Sequence, residues 1–308
     1  MSAPTDRPAG AESSLLGRNT LKRSWLIAIM LFVVALAVLP LTAGCGGGDS
    51  PTTTTVATGD GDPAAAADAA IAAVTKSDAI ETPPTLEAGK LQAGSDTSFA
   101  PFEFSDEKGG YIGFDVDLVT AIAKKIGLEA VVVPTQWDGI IPNLVADRYD
   151  IIMSSMTITD ERKQQISFTD GYIDTNLAIT TKLDAPITDP AGLEGKIVGV
   201  QVDTTGQFEV EKIAGVKEIK KYENSVAAIQ DLLAGRIDAV VNDSPVNAYY
   251  TRNDSNYGNT GQIGSDDQYG YGVKQENTAL VEAMSAALAE LKADGTYDLI
   301  FAKWFGEK

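Results

Sequence analysis

The chain has 308 residues, a formal net charge of −19, no histidine and a single cysteine. So acidic a chain is not expected to bind nucleic acid, which needs clustered Lys and Arg, and the absence of histidine argues against serine triads and zinc sites. The length exceeds that of one average domain, so we predict two lobes plus extra segments. We also predict that the protein has no enzymatic activity, no cofactor and no metal.

The N-terminal segment has the pattern of a secretory signal. Three basic residues precede the apolar run "WLIAIMLFVVALAVL", and Pro40 and the small-residue stretch "LTAGC" follow it. This order predicts a signal peptide over residues 1–44. Its end resembles a bacterial lipobox, in which the chain is cut before a cysteine that becomes lipidated, here Cys45. The sequence departs from that pattern at Thr42, where a lipobox usually has leucine.

Two interpretations of this segment stay open. In the first, lipidated Cys45 anchors the protein to the cell membrane. In the second, the apolar run remains uncleaved as a membrane anchor, although its fifteen residues fall short of the roughly 20 that span hydrocarbon. Both place the rest of the chain outside the cytoplasm, on the periplasmic side.

Residues 45–87 follow as a segment rich in Gly, Thr, Asp, Pro and Ala. It offers too little bulky apolar surface for a core, so we predict a flexible linker, with at most a transient helix in "AAAADAAIAAV". Folded structure is expected to begin near Lys90.

From Lys90 onwards, apolar runs alternate with helical patterns. "KLQAGS", "EAVVVPT" and "YDIIMSS" predict strands, and "DVDLVTAIAKKIG" and "WDGIIPNLVADR" predict helices. In the first helix, apolar residues recur at helical spacing, Asp115 is the expected N-cap and Gly127 the expected stop. Strands that alternate with helices predict a parallel sheet in an α/β fold.

The same plan restarts after residue 182. "KIVGVQ", "VKEIKKY" and "IDAVVND" predict strands, and "TGQFEVEKIAG" and "SVAAIQDLLAGR" predict helices. "LVADRYDIIMSS", which begins at Leu144, is echoed by "LLAGRIDAVVND" from Leu232, 88 residues later. Any helix-turn-strand junction favours such a pattern, but five residues match in register, which favours two lobes of one plan.

Polar residues end the two echoed strands. They are Ser154 and Ser155 in the first lobe and Asn242 and Asp243 in the second. Ligands collect at the carboxyl ends of strands in open parallel sheets, where helix N-termini and side chains are free. Two lobes placed face to face would therefore bring these residues to opposite walls of one cleft.

Several stretches resemble the family 3 extracellular solute-binding proteins of ABC transporters, which bind polar amino acids, and among them most closely the glutamine binders. These stretches are "SFAPFEF", "GFDVDLVTAIAKKI", "WDGIIPNL", "TITDERKQQISFTDGY" and "GTYDLIFAKWFG". The resemblance implies a type II periplasmic-binding fold, in which two α/β lobes are joined by two hinge crossovers around a ligand cleft. It places lobe 1 at 88–172 and 271–308, lobe 2 at 177–267, and the hinges at 172–176 and 268–270.

The resemblance also implies how the cleft holds its ligand. Arg162 would bind the α-carboxylate with the help of Thr157 and Thr205. Asp243 would bind the α-ammonium, although Asp before Ser-Pro also suits a helix N-cap, and both roles can coexist. The predicted ligand-binding set is Asp96, Phe99, Trp137, Ser154, Ser155, Thr157, Arg162, Gln201, Thr204, Thr205 and Asp243, with Phe99 and Trp137 as aromatic walls.

Specificity for the ligand side chain would depend on Asp96 and Gln201. Once Arg162 and Asp243 neutralise the zwitterion, Asp96 needs a donor, so an acidic side chain is disfavoured. Glutamine is the first expectation, from overall similarity. The glutamine binders, however, carry lysine at the position of Gln201 and histidine at that of Asn242, and this less cationic cleft leaves arginine and lysine open.

The predicted function is therefore that of a monomeric extracytoplasmic lipoprotein that captures an amino acid by cleft closure and delivers it to an ABC transporter permease. No phosphate-binding loop occurs in the sequence, so the ATPase is expected to be a separate chain. The rival prediction is a cyclohexadienyl-dehydratase-like enzyme, in which Asp96 or Glu103 would serve as acid or base.

Overall fold

The computed structural model describes residues 62–306, apart from the side chain of Ser265. The predicted signal peptide, Cys45 and the first part of the predicted linker lie outside the described residues. None of the helices within the described part is long and apolar enough to cross a membrane.

The first half of the fold comprises the elements that precede the long strand β8. Its elements are α1 (Pro63–Ala73), β1 (Lys90–Ser95), β2 (Ser98–Phe99), β3 (Glu103–Ser105), β4 (Tyr111–Ile112), α2 (Phe114–Ile126), β5 (Glu129–Pro134), α3 (Ile140–Val145), β6 (Ile151–Ile152), α4 (Asp160–Lys163) and β7 (Ser167–Phe168). Single 3₁₀ turns cover Trp137–Gly139 and, later, Pro190–Leu193. The predicted strand 149–155 is thus much shorter than expected, and three residues after it ends the backbone adopts a positive φ of 46° at Ser155.

The second half begins with the longest strands. Its elements are β8 (Ile173–Lys182), β9 (Ile197–Gln201), α5 (Thr205–Glu211), β10 (Glu218–Tyr222), α6 (Ser225–Leu233), β11 (Ala239–Asp243), α7 (Ser244–Thr251), β12 (Tyr257–Tyr269), β13 (Gly272–Val273), α8 (Thr278–Ala293) and α9 (Thr296–Phe305).

Two five-stranded sheets organise the described chain. The first has the order β5-β1-β6-β13-β7, and α2, α3, α8 and α9 pack with it to form lobe 1. The second has the order β10-β9-β11-β8-β12, and α5, α6 and α7 pack with it to form lobe 2. The two-lobed α/β fold predicted from the sequence is confirmed.

Neither sheet is entirely parallel, which corrects the expectation of parallel sheets. β1 is parallel to β5 and β6, but β13 is antiparallel to β6 and β7. In lobe 2, β9 is parallel to β10 and β11, whereas β8 is antiparallel to β11 and β12. The antiparallel strands come from segments that enter or leave a lobe, and local periodicity does not reveal their partners.

The echoed sequences form equivalent structures in the two lobes. Asp150 accepts a hydrogen bond from the Gln92 amide at 2.8 Å, and Asp238 accepts one from the Ile197 amide, also at 2.8 Å. The turn before each of these residues contains a positive φ, at Asp147 and Gly235, which are 88 residues apart. Since the strand pairing is also the same, the echo reflects one structural unit used twice.

Helix α2 begins earlier than its pattern suggested. Its N-cap is Gly113, with φ 140°, and a Cβ at that position would lie 1.9 Å from the Phe102 carbonyl oxygen. Asp115, the predicted N-cap, lies in the first turn and is fully buried. The helix ends as predicted at Gly127, which adopts the left-handed conformation that glycine tolerates.

Helix α1 corrects the prediction of a flexible linker as far as residue 87. It packs against α9, with Ala67 at 0% exposure and Ile71 at 9%. Asp68 forms a 2.6 Å ion pair with Lys303. The alanine-rich sequence has no core of its own, but its small side chains allow close approach to another helix, and this tertiary packing stabilises it.

The core of lobe 1 is unusually aromatic around the point where the chain leaves and re-enters it. Phe102 meets Tyr269 edge-on at 5.3 Å between ring centroids, and Tyr172 stacks on Tyr271 at 4.5 Å. Ile173 of β8 pairs with Tyr269 of β12, so the two chain crossings lie side by side. This packing fixes the two adjacent strands next to the cavity described below.

Candidate functional site

All eleven residues of the predicted ligand-binding set line one cavity between the two sheets. Seven belong to lobe 1, namely Asp96, Phe99, Trp137, Ser154, Ser155, Thr157 and Arg162, and four to lobe 2, namely Gln201, Thr204, Thr205 and Asp243. Asn242, which the sequence analysis placed at the same strand end, is not among the lining residues. It is buried, and its amide donates to Asn247 at 3.5 Å.

Strand ends and helix N-termini position these side chains. Asp96 follows β1, Ser154 and Ser155 follow β6, and Gln201 and Asp243 are the last residues of β9 and β11. Thr204 caps α5 by accepting the Gln207 amide at 3.2 Å, and both Thr204 and the first helical residue, Thr205, line the cavity.

Direct contacts cross the cavity and hold its walls together. The Gln201 side-chain amide donates to Asp96 Oδ2 at 2.9 Å, and Trp137 Nε1 donates to the Asp203 carbonyl at 3.2 Å. The cavity encloses only about 20 Å³, which is room for little more than one water molecule. A solute can therefore enter only if the walls separate or the contact between Asp96 and Gln201 rearranges.

A larger cavity of about 670 Å³ adjoins the first and shares Trp137, Arg162 and Thr205 with it. Its other lining residues are apolar, neutral polar and acidic, with Lys212 as a further cation. Asp96 and Asp243, the acids that could bind a cationic group of a ligand beside Arg162, line the smaller cavity and not the larger one. We therefore assign the candidate site to the smaller one.

Arg162 is a buried cation on the lobe 1 wall. It is 8% exposed, its Nη1 donates to the Thr157 carbonyl at 2.8 Å, and its guanidinium lies 5.2 Å from the Trp137 ring centroid. Burial lowers its pKa to about 10, while the negative charge of Asp243 opposes that shift. The remaining guanidinium donors are available for a carboxylate, which matches their planar geometry.

Asp243 provides a buried anion on the lobe 2 wall. It occupies the N-cap position of α7, but its side chain makes no capping hydrogen bond there. Burial raises its pKa to about 6, and a hydrogen bond with Tyr269 and the charge of Arg162 oppose that rise. The carboxylate is thus available to the cavity, and it is ionised at neutral pH.

Asp96 is the second acidic group in the cavity. It accepts from the Ser98 hydroxyl at 2.7 Å and from the Gln201 amide. Burial raises its pKa, and these two hydrogen bonds partly oppose the rise. With Arg162 as the cation among the eleven lining residues, the two carboxylates leave the set one negative charge in excess.

Two residues beneath the lobe 1 wall were missed as parts of the site. Glu103 accepts the hydroxyls of Ser154 and Ser155, and Asp115 accepts the backbone amide of Ser155. The sequence suggests Glu103 only as a possible enzymatic acid and Asp115 only as a helix cap. The available signal was an acid flanked on both sides by apolar residues in "PFEF" and in "GFDVD".

Two α/β lobes that enclose a buried, charged cavity define a solute-binding protein. The family model for bacterial extracellular solute-binding proteins, family 3, matches residues 91–307. The chain therefore belongs to this family, as the sequence motifs predicted.

Individual relatives include proteins named for different amino acids. A probable histidine-binding protein of Neisseria gonorrhoeae is 34% identical over 232 residues, which cover 73% of this chain and 87% of that protein. A solved ancestral arginine-binding protein bound to glutamine is 42% identical, with a TM-score of 0.69, and covers 72% of this chain and 100% of its own. A structure of an ancestral arginine-binding protein bound to arginine is 41% identical, with a TM-score of 0.68, and the match covers 71% of this chain and 99% of that one.

Proposed function

We propose that the protein is the extracytoplasmic binding protein of an amino-acid ABC transporter and that it captures its ligand by cleft closure. The observation that carries this proposal is the placement of Arg162 and Asp243 on opposite walls of one buried cavity. An α-carboxylate and an α-ammonium require a cation and an anion in such an arrangement. A zwitterion bridging both walls would favour the closed state over the open one.

In the proposed complex, Arg162 binds the α-carboxylate with Thr157 and the N-terminal amides of α5 at Thr205. Asp243 binds the α-ammonium opposite Ser155. Phe99 and Trp137 flank the side chain of the ligand and exclude water from it. These roles assign every charged lining residue except Asp96.

Asp96 favours a ligand with a cationic side chain. The excess negative charge of the cavity favours a guanidinium or ammonium group over a neutral one. In the closed cavity, the Gln201 amide already satisfies Asp96 at 2.9 Å, and an incoming guanidinium would replace that donor. Arginine is therefore our first candidate, supported by the arginine-binding relative at 41% identity.

Glutamine, the first expectation from the sequence, becomes the second candidate. Its side-chain amide can donate to Asp96 as that of Gln201 does, and the relative bound to glutamine supports it. Glutamate would place a third carboxylate beside Asp96 without a free donor. We expect it not to bind.

The two adjacent chain crossings are the proposed hinges. Residues 172–176 and 268–270, at one end of β8 and of β12, join the two lobes. Rotation at a few strand-terminal residues would separate the walls and leave both sheets intact. We further propose that Cys45 is lipidated, that the protein is a monomer, and that a permease with a separate ATPase receives the ligand.

Isothermal titration with arginine, lysine, histidine, glutamine and glutamate tests the proposal. We expect arginine to bind most tightly, glutamine more weakly, and glutamate not at all. Failure of all common amino acids to bind would refute the function, and glutamine binding ahead of arginine would reverse the order of the candidates.

We also propose that the protein has no enzymatic activity. Glu103, one of the acids considered for a dehydratase, is fully buried behind Ser154 and Ser155 and does not line the cavity. Incubation with prephenate or arogenate should give no turnover. Turnover that Asp96→Asn abolishes would contradict this proposal.

A further inference from the structure

Two carboxyl groups lie directly beneath the lobe 1 wall of the site. Glu103, from β3, and Asp115, from the first turn of α2, are both fully buried. Ser155 bridges them, because its hydroxyl donates to Glu103 and its amide donates to Asp115, and the charge of Asp115 raises the pKa of Glu103. Buried carboxyl groups this close cannot both be ionised without a large electrostatic cost.

Their hydrogen bonds lead to the two serines of the wall. The hydroxyls of Ser154 and Ser155 donate to Glu103 at 3.3 and 3.0 Å. The Ser155 amide donates to Asp115 Oδ2 at 3.3 Å, and the Tyr172 hydroxyl donates to the same oxygen at 2.6 Å. Asp115 Oδ1 is buried and has no hydrogen-bond partner among the described residues.

The surroundings of the pair provide negative charge and neutral hydroxyls. The charges that act most strongly on Glu103 are those of Asp115 and Asp96, and both are negative. Titratable groups face the pair from the loop after β1, from the segment before β8, and from α7, β12, the β12–β13 link and α9; they are Asp96, Tyr172, Tyr250, Tyr269, Tyr271 and Tyr297.

We propose that Glu103 and Asp115 share a single proton and act as a positioning pair that holds Ser154 and Ser155 in place for the ligand. The proton belongs to Glu103, whose O–H donates to the unpartnered Oδ1 of Asp115. Asp115 is then the carboxylate, which fits its acceptance of an amide and a phenol. The inference concerns the same site as the proposed function and rests on it for the role of the serines.

The electrostatics agree with this assignment. Burial raises the pKa of Glu103 well above its usual value, and the charge of Asp115 adds to the rise. Burial also raises the pKa of Asp115, to about 7, against the hydrogen bonds from Tyr172 and Ser155. Glu103 therefore retains its proton at pH values where an exposed glutamate has lost it.

The pair explains the unusual backbone of the wall. Ser155 has a φ of 46°, in the left-handed region that non-glycine residues avoid. Its amide and hydroxyl are both bound by the pair, which stabilises this conformation. Ser154 extends the network, because its Oγ accepts the Asp96 amide at 3.0 Å. The pair thus positions three residues of the candidate site without touching the cavity itself.

The first test is thermal unfolding without ligand, between pH 5 and 9, of the wild type, Glu103→Gln and Glu107→Gln. An acid whose pKa is raised on folding makes stability fall as pH rises from its unfolded value, about 4.3, through its folded value. Glu103→Gln mimics the protonated acid and does not titrate. Its melting temperature, relative to that of the wild type, should therefore rise by at least about 3 °C between pH 5 and pH 9. Glu107, an exposed residue after the same strand, is the matched control, and Glu107→Gln should follow the wild type.

If the melting temperatures of the wild type and of Glu103→Gln change with pH in parallel, the proposal of a shared proton is overturned. Infrared spectroscopy gives a second measurement that does not depend on how well the variant folds. The wild type at pH 8 should show the band of a protonated carboxyl group, and Asp115→Asn should alter its frequency. Absence of the band would also overturn the proposal.

The second test separates positioning from general stability. By titration with arginine and glutamine at pH 7.5, Glu103→Gln should keep its affinity within about threefold of the wild type, and Glu103→Ala should lose about tenfold, because truncation leaves the serine hydroxyls unsatisfied. Equal losses in both variants would overturn the positioning role. If none of the common amino acids binds the wild type, the proposed function fails, whereas the melting and infrared results still decide the shared proton.

Discussion

Lobe 1 and lobe 2 both end a central strand at the cavity, but the groups that support those ends differ. In lobe 1, the buried carboxyl groups of Glu103 and Asp115 hold the turn at Ser155. In lobe 2, neutral groups support the end of β11. There, Asn242 donates to Asn247 at 3.5 Å, and Asn247 donates to Thr180 at 2.7 Å.

This difference shows how one structural unit is adapted to the two ends of a zwitterion. The lobe 1 wall carries the buried cation Arg162 and a strained turn, so its support must resist both strain and desolvation. The lobe 2 wall carries Asp243, and neutral amides support it without placing a second negative charge directly behind the anion. Repetition of the fold thus does not imply repetition of the electrostatics.

The largest expected effect on binding comes from removing the charge of the lobe 1 wall. Arg162→Ala should weaken arginine binding at least about 30-fold, because it deletes the partner of the α-carboxylate from a buried site. Titration calorimetry measures the loss, and Lys163→Ala, at the exposed neighbouring position, is the matched control. Equal affinity of Arg162→Ala and the wild type would eliminate the proposed carboxylate contact.

Equivalent glycines in the two lobes should respond unequally to alanine. A Cβ at Gly94 would lie 2.3 Å from the Tyr149 ring, whereas one at Gly199 would lie 2.6 Å from the terminal methyl of Ile237. Tyr149 is held by a hydrogen bond to the Ile140 carbonyl, and a methyl at the end of Ile237 moves more easily. Gly94→Ala should therefore reduce the free energy of unfolding by about 3 kcal/mol and Gly199→Ala by about 1 kcal/mol.

Urea unfolding of the two glycine variants measures this difference directly. The prediction fails if Gly199→Ala is the more damaging of the two.

The charge of the lobe 2 wall should be visible in the pH dependence of binding. The α-ammonium needs ionised Asp243, whose pKa is raised to about 6 by burial. Lowering the pH from 7 to 5 protonates this carboxylate in the empty protein, so affinity for arginine should fall about tenfold. Asp243→Asn should bind weakly, with affinity that hardly changes over this interval. A wild-type affinity that is constant from pH 7 to 5 would contradict the assignment.

The smaller of the two expected effects on stability concerns the repeated aspartates. Asp150 is buried and accepts the amides of Leu86 and Gln92, whereas Asp238 is exposed and accepts only that of Ile197 among the contacts described. Asp150→Ala should cost about 2 kcal/mol and Asp238→Ala less than about 1 kcal/mol, because buried amides left unpaired are expensive. Chemical denaturation of the two variants tests the order, and equal costs would show that burial does not distinguish the two positions.

Much of the site was predictable because its residues lie where strands end. Ser155 and Asp243 follow apolar runs that local patterning identifies, and the family resemblance supplied Asp96, Arg162 and Trp137. Their common cavity follows from strand ends that meet at one edge of each sheet. Ligand-binding roles for these residues stay a prediction until the titrations are made.

Other features depended on contacts that local sequence does not encode. Asp115 before an apolar stretch has the pattern of a helix cap, and only the approach of Gly113 to Phe102 moves the start of α2 forward. The antiparallel pairing of β13 depends on a partner more than 100 residues away. Helix α1 has no amphipathic signal strong enough to predict its place against α9.

Helix α1 has a mechanical consequence for the proposed receptor. It joins the segment that precedes it to α9, and so to lobe 1, through buried Ala67 and Ile71 and the ion pair between Asp68 and Lys303. Tension along an N-terminal tether would therefore be borne by lobe 1 alone. In the proposed cleft closure, lobe 2 would then rotate about β8 and β12 without displacing the proposed lipid anchor.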